Sequence, residues 1–292
     1  MTSRNNHDLG EKMTNRRRWL QSSTLLAAGA VFSTVQPQAR ASQQCSYKPL
    51  IVMVHGGFHW GGCFEKVVNL LGQRGYAVVT PDNLSHGYDA TPYNSVKDMG
   101  DYCSPVERIV AAANAPVVLI GHSLGGLTLS YLGEKYPQKI RRLIYLSAIM
   151  CPHGESLLSY MALDRNLTFK LPPVFDRSGP ADGMTLKMSD PSLLKSVFYG
   201  DCSDRDVRVA LANLNVTDPL APWQWISTIT PRNFGSIPRL YVECSEDSAI
   251  PLNLQRRFQQ DVPGAMVRTL TTSHSPFFSH PDAVADLIDQ VA

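Results

Sequence analysis

The sequence predicts an α/β domain, a mostly parallel sheet flanked by helices with a cap inserted late in the chain. Three observations carry this. Short apolar runs of strand length alternate with segments of helical period. One of these runs, Pro116-Val117-Val118-Leu119-Ile120, turns through Gly121-His122-Ser123-Leu124-Gly125 directly into Leu127-Thr128-Leu129-Ser130-Tyr131-Leu132. The alternation then breaks between about residues 151 and 231 and resumes. Strands separated by helix-period segments pair in parallel, because a parallel connection needs a crossover long enough to hold a helix.

Taken in order, Leu50–Val54 reads as the first strand and Cys63–Arg74 as a helix, with Val67, Leu70 and Leu71 on one face. Ala77–Thr80 reads as a strand closed by Pro81. Val96–Ala113 reads as a long helix. Val117–Ile120 and Leu143–Leu146 are strands on either side of the helix that follows Ser123. The stretch from Cys151 to Pro231 is rich in Pro, Ser, Asp and Met, with weak helical period at Asp190–Tyr199 and Asp204–Asn213. An insertion in a regular α/β pattern is most simply a cap over the end of the sheet where sites are built; a plain surface excursion is the alternative. The pattern then returns as strand Leu240–Cys244, helix Leu252–Gln260, strand Met266–Leu270 and helix Pro281–Val291. There are no internal repeats.

The 292 residues carry a formal net charge of +2, and no basic stripe with interleaved aromatics follows the N-terminus, so nothing points to a nucleic-acid partner. The N-terminus itself is distinct. Asn15-Arg16-Arg17-Arg18-Trp19-Leu20-Gln21 precedes the apolar stretch Leu25–Phe32, and Ala39-Arg40-Ala41 offers a small-x-small cleavage site. A charged region, a short apolar region and a cleavage site in that order read as an export signal spanning residues 1–41, with the mature chain starting at Ser42. The arginine pair resembles a bacterial twin-arginine signal, which implies export to the periplasm or beyond by that machinery. An uncleaved anchor is the competing reading, although the apolar stretch is short for a bilayer. The six cysteines (Cys45, Cys63, Cys103, Cys151, Cys202, Cys244) all follow residue 41. Export permits disulfides, whose pairing the spacing leaves open. Cys244 ends a strand and reads as a small buried hydrophobe. No Cys/His spacing suits zinc.

A serine at a Gly-x-Ser-x-Gly strand-to-helix corner has its Oγ thrust into the open, and the following helix aims N–H groups at a developing oxyanion. Its hydroxyl still needs a base, and the base an orienting acid. In this architecture both fall after later strands, acid first. Asp247 follows strand Leu240–Cys244 and His274 follows strand Met266–Leu270. The weaker rivals are His280 for the base, and Glu246 and Asp82 for the acid, with Asp82 expected to hold loops. For the oxyanion, the Leu124 N–H pairs with one from the loop His55-Gly56-Gly57-Phe58-His59-Trp60-Gly61-Gly62: Gly57, or its neighbour Phe58. His55 is expected to brace that loop and His122 to be structural. His59 is expected to make a structural hydrogen bond or line the pocket. Phe58, Trp223, Trp225 and Phe277 are candidate pocket walls, with core packing the alternative for each.

These motifs together resemble the α/β-hydrolase superfamily. Residues 55–64 and 234–251 narrow the resemblance to the plant methylesterase and hydroxynitrile lyase group, over most of residues 48–290 and most weakly in the cap. The resemblance implies a Ser123–His274–Asp247 triad, donors at Gly57 and Leu124, and no metal or organic cofactor. It also offers two chemistries. The lyases resemble one another in a Thr after the first-loop His and a Lys after the catalytic His; here these are Gly56 and Ser275. Without an ammonium for departing cyanide, hydrolysis of a small carboxylic ester is the expectation. Cyanohydrin cleavage and non-catalytic binding of a small ligand are the alternatives. The esterases of the group often carry Met where Ser275 stands, so their substrate does not transfer.

Overall fold

The computed structural model describes residues 48–163 and 172–292. The export-signal reading of residues 1–41 and Cys45 therefore lie outside the described residues. In chain order the elements are β1 (Ile51–Val54), α1 (Glu65–Gln73), β2 (Val78–Val79), α2 (Met99–Ala112), β3 (Val117–His122), α3 (Gly125–Lys135), β4 (Ile140–Leu146), α4 (Leu157–Leu163), β5 (Gly183–Thr185), α5 (Pro191–Phe198), α6 (Asp204–Asn213), β6 (Thr217–Pro219), α7 (Ala221–Gln224), β7 (Arg239–Cys244), α8 (Leu252–Asp261), β8 (Ala265–Leu270), α9 (Pro276–Ser279) and α10 (Pro281–Val291).

The main sheet has six strands in the order β2-β1-β3-β4-β7-β8, parallel throughout. β1, β3 and β7 are buried along their whole length. That is why they read as continuous apolar runs rather than alternating ones: helices cover both faces. β8 closes one edge and leaves Met266 and Val267 exposed. The other edge, β2, has only two residues, shorter than expected, because Pro81 follows closely and removes a ladder donor.

The helices obey local rules. Asp98 caps α2, its side chain accepting from the Asp101 N–H, and Met99, Tyr102, Cys103, Val106 and Val110 form its buried stripe. Ser203 caps α6 and Asp190 caps α5 in the same way. α1 packs against α10, burying Val67 and Leu71 opposite Val284, Ala285 and Ile288. Each fully buried Val or Leu contributes roughly 1.5–3 kcal/mol. The expected helix at Cys63–Arg74 begins as a 3-10 turn, Gly61–Phe64, before α1.

Between β4 and β7 the sheet pattern stops. Among the described residues this stretch holds four α-helices and the short antiparallel pair β5–β6, a pairing the sequence does not announce. The parallel order sends every crossover back over a face, so the ends of β1, β3, β7 and β8 that point along the chain share one rim. Ligands in such sheets bind at that rim.

Candidate active site

Ser123 sits just past β3 with φ = 52°, a left-handed conformation that costs a non-glycine residue about 1–3 kcal/mol. The turn is held by its carbonyl, which accepts from Gly126 N at 3.1 Å and Ile149 N at 2.9 Å. The flanking glycines are dictated by contact. A Cβ at Gly121 would stand 2.6 Å from Leu129 and 2.7 Å from the Gly125 carbonyl; one at Gly125 would stand 2.7 Å from the Val54 and His55 carbonyls. A Cβ at Gly126 would collide with the Ile149 carbonyl. The run of glycines around the serine thus lets α3 lie against the β1 and β4 loops.

Beyond β8, His274 is 1% exposed, with Nδ1 2.6 Å from Asp247 Oδ2. Because Asp247 only accepts, Nδ1 carries the proton and Nε2 presents its lone pair. The carboxylate is itself fixed. Its Oδ1 accepts from Ala249 N at 2.7 Å and Ile250 N at 2.8 Å, and its Oδ2 accepts from the Ser147 hydroxyl as well. Ser147, just past β4 with φ = 40°, went unnoticed in the sequence, where nothing separates it from other loop serines. Ser123 and His274 line one cavity; no hydrogen bond joins them among the described residues, the looser arrangement common when no substrate is bound. The rivals lie elsewhere. Asp82 holds loops, accepting from Gly61 N at 2.6 Å and Tyr88 N at 3.0 Å. His280 is an exposed residue beside Ser279, and Glu246 is exposed too.

Gly57 and Leu124 line the same cavity, and neither N–H has a protein acceptor among the described residues. The Phe58 N–H, the alternative donor, is taken: it donates to Asp218 Oδ1 at 2.8 Å. Both loop glycines stand where a side chain would not fit. A Cβ at Gly56 would stand 2.8 Å from Ser123 Cβ, and one at Gly57 would stand 2.7 Å from Asp218 Oδ2.

Three histidines brace this centre as neutral rings. His55 donates from Nδ1 to the Gly56 carbonyl and accepts the Asn83 N–H at Nε2. His59 donates to the Gly57 carbonyl at 2.8 Å and accepts from the Tyr199 hydroxyl at 2.9 Å; it also lines the cavity. His122 donates from Nε2 to the His274 carbonyl at 2.8 Å, so it supports the base's backbone. Burial holds His55 and His122 well below the ordinary imidazole range, aided by the neighbouring histidines, and brings His59 down to about 4. Unfolded His59 takes up its proton near 6.5 and folded His59 only near 4. The unfolded state therefore binds more protons as pH falls through that window, and stability falls with it. His59 alone should cost on the order of 3 kcal/mol between neutral pH and pH 4. His55 and His122 act in the same direction and His86 in the opposite one. A urea midpoint that is the same at pH 7 and pH 4.5 would contradict this.

The remaining walls are Phe58, Ile149, Leu157, Phe198 and Trp223. Ile149, Leu157, Phe198 and Trp223 all come from the segment between β4 and β7, and of these only Trp223 was anticipated. Two expected walls belong elsewhere. Trp225 packs edge-on against Tyr131 of α3, with ring centroids 5.9 Å apart. Phe277 is fully buried between Phe64 and His122, at 4.9 and 4.8 Å. Both aromatics serve packing, Trp225 against α3 and Phe277 within the core. The cavity holds about 330 Å³, counting its mouth to solvent. The five cysteines among the described residues are buried and unpaired, Cys244 among them.

Comparison with known proteins shows the family and the fold. Residues 51–287 match the model of the alpha/beta hydrolase family, and the chain belongs to that family. It is 34% identical to the pyrethroid hydrolase of Sphingobium wenxiniae over 246 residues, covering 83% of this chain and 87% of that one. It is 31% identical to the putative chloroplastic methylesterase 11 of Arabidopsis thaliana over 247 residues, covering 82% of this chain and 63% of that longer protein. The crystal structure of a pyrethroid hydrolase from Sphingobium faniae superposes with a TM-score of 0.75 at 29% identity, over 83% of this chain and 96% of that one.

Proposed function

We propose that this chain is a serine carboxylesterase acting on small, apolar carboxylic esters, with Ser123 as nucleophile, His274 as base and Asp247 as its orienting acid. The observation that carries this is the strained, cavity-facing Ser123 opposite a buried imidazole whose Nδ1 lies 2.6 Å from Asp247. The chain is a carboxylic ester hydrolase, and its relatives named as pyrethroid hydrolase and methylesterases support that class. His274 Nε2 takes the Ser123 proton as Oγ attacks the ester carbonyl. The oxyanion is held by the Gly57 and Leu124 N–H groups, with the N-terminus of α3 behind them. The imidazolium then protonates the leaving alcohol. A water, deprotonated by the same nitrogen, releases the acid. The chemistry asks for no cofactor. The apolar walls favour aryl or alkyl groups on the ester, and the segment at about 151–231 acts as the cap that selects among them.

A cyanohydrin lyase on the same scaffold is disfavoured at two positions. A side chain at residue 56 would collide with Ser123 Cβ at 2.8 Å, and Ser275 is fully buried and bears no charge. The test is initial-rate hydrolysis of p-nitrophenyl acetate, butyrate and octanoate, beside cyanide release from mandelonitrile. Turnover of at least one ester, exceeding any cyanide release, is expected. The reverse ranking would make the chain a lyase, and tight ligand binding without turnover would make it a binding protein.

The proposal extends to location. Residues 1–41 act as a twin-arginine export signal, motivated by Arg16-Arg17 ahead of the apolar stretch and the Ala39-Arg40-Ala41 site. Replacing Arg16 and Arg17 with Lys should retain the chain in the bacterial cytoplasm, as read by fractionation and blotting; unchanged export would refute the signal.

A further inference from the structure

Behind the oxyanion loop lies a second buried histidine–aspartate pair that the chemistry above does not use. His86 and Asp218 are both fully buried, with Nε2 2.8 Å from Oδ1. The other ring nitrogen, Nδ1, lies 3.0 Å from the Leu84 carbonyl. A carbonyl and a carboxylate both only accept, so both ring nitrogens carry protons and His86 is an imidazolium. Burial alone would lower its pKa. The Asp218 carboxylate, with Asp82 farther off, carries it above the ordinary range instead. The rings packed on it are His55, held neutral, and Tyr102, whose hydroxyl burial keeps protonated.

Asp218 belongs to β6, in the segment between β4 and β7, yet it reaches into the loop after β1. Its Oδ1 accepts the Phe58 N–H at 2.8 Å, while the Phe58 carbonyl accepts from Asn215 N at 2.8 Å. Asn215 Nδ2 also donates to the Ser85 carbonyl. Phe58 has φ = 63° and Ser85 φ = 69°, so residues 215–218 clamp two strained residues, one of them next to Gly57. Asp218 Oδ2 has no hydrogen-bond partner among the described residues and faces the Gly57 Cα, where a Cβ would stand 2.7 Å away. A bare carboxylate there opposes the negative charge that develops at the Gly57 N–H.

We propose that His86 and Asp218 are positioning residues for the oxyanion loop: Asp218 sets the peptide at Phe58, and His86 cancels the charge that Asp218 brings beside Gly57. This rests on the serine esterase reading. It follows that His86 is required because Asp218 is charged, and removing both charges is milder than removing one. His86→Gln should lower kcat roughly 10–100-fold, short of the ~10²–10³ for deleting a donor outright, with KM changed less than about threefold. The His86→Gln/Asp218→Asn double variant should regain most of that loss, since Asn still accepts the Phe58 N–H and no net charge remains. Rates are normalised to the active fraction by burst titration, with thermal melts beside them.

A double variant no faster than His86→Gln would overturn the proposal, as would His86→Gln at the parental kcat. Should His86→Gln not fold, Asp218→Ala and Asp218→Asn decide: Asn must retain much more kcat than Ala per active molecule, and equal values overturn the proposal. Ser123→Ala runs alongside. If it is inactive while the His86 and Asp218 variants behave as the parent, only this inference fails. If it remains active, the esterase reading fails and takes the inference with it.

Discussion

Ser123→Ala should reduce kcat for ester hydrolysis by roughly 10⁴–10⁶-fold while the protein stays folded. The size follows from what is lost. Alanine leaves the cavity, the Gly57 and Leu124 donors and the His274–Asp247 pair in place, but no oxygen remains to form the acyl-enzyme. The residual rate is that of water positioned near an oxyanion hole. The fold should persist because alanine keeps the Cβ that Gly56 already accommodates and adopts φ = 52° at much the same cost as serine. The carbonyl bonds to Gly126 and Ile149 are backbone bonds and survive. A melting temperature within about 2 °C of the parent, together with loss of the p-nitrophenol burst, is the expected pair of results; a 2 °C change is roughly the scale of 1 kcal/mol or less for a domain of this size. A variant keeping a tenth of the parental rate would remove Ser123 from the chemistry.

Much of this site was legible in the sequence because it is written at strand ends. β3 runs into Ser123, β7 into Asp247 and β8 into His274, and the strand-length segments of the sequence place each end within a residue or two. The glycines flanking Ser123 mark a backbone that must come within touching distance of other loops, a local requirement that local sequence can display. What escaped notice depends on partners distant in the chain. Ser147 matters because it reaches Asp247, a hundred residues on. Asp218 matters because it reaches Phe58 and His86, and it lies in a segment whose weak period gave no strand. The aromatic residues show the same divide. Trp223 and Trp225 are two positions apart in a short turn, yet one faces the cavity and the other α3; composition says that both are large and apolar, not which way each one turns. Phe277 is the second residue of α9, whose four residues are too few to establish a face.

Asp247→Asn should lower kcat by about 10⁴-fold with little loss of stability, through the tautomer of His274. The hydrogen bonds fix which way the amide must sit. Oδ1 accepts two backbone N–H groups, from Ala249 and Ile250, so an asparagine must place its oxygen there or set its own donors against two others. Its NH₂ then occupies the Oδ2 position, facing the Ser147 hydroxyl and His274 Nδ1. The Ser147 hydroxyl can rotate to accept. The imidazole can match a donor only by giving up the Nδ1 proton and carrying it on Nε2, where it meets the serine with a proton instead of a lone pair. The base is then present, in place and unable to act. Asp247→Ala separates this effect from packing. It strands the Ala249 and Ile250 N–H groups, at about 1–3 kcal/mol each, so it should lose stability as well as rate, while Asp247→Asn loses rate alone. Urea titrations of both variants beside their kcat values test the distinction. An asparagine variant within tenfold of the parent would mean that Asp247 holds the loop rather than the proton.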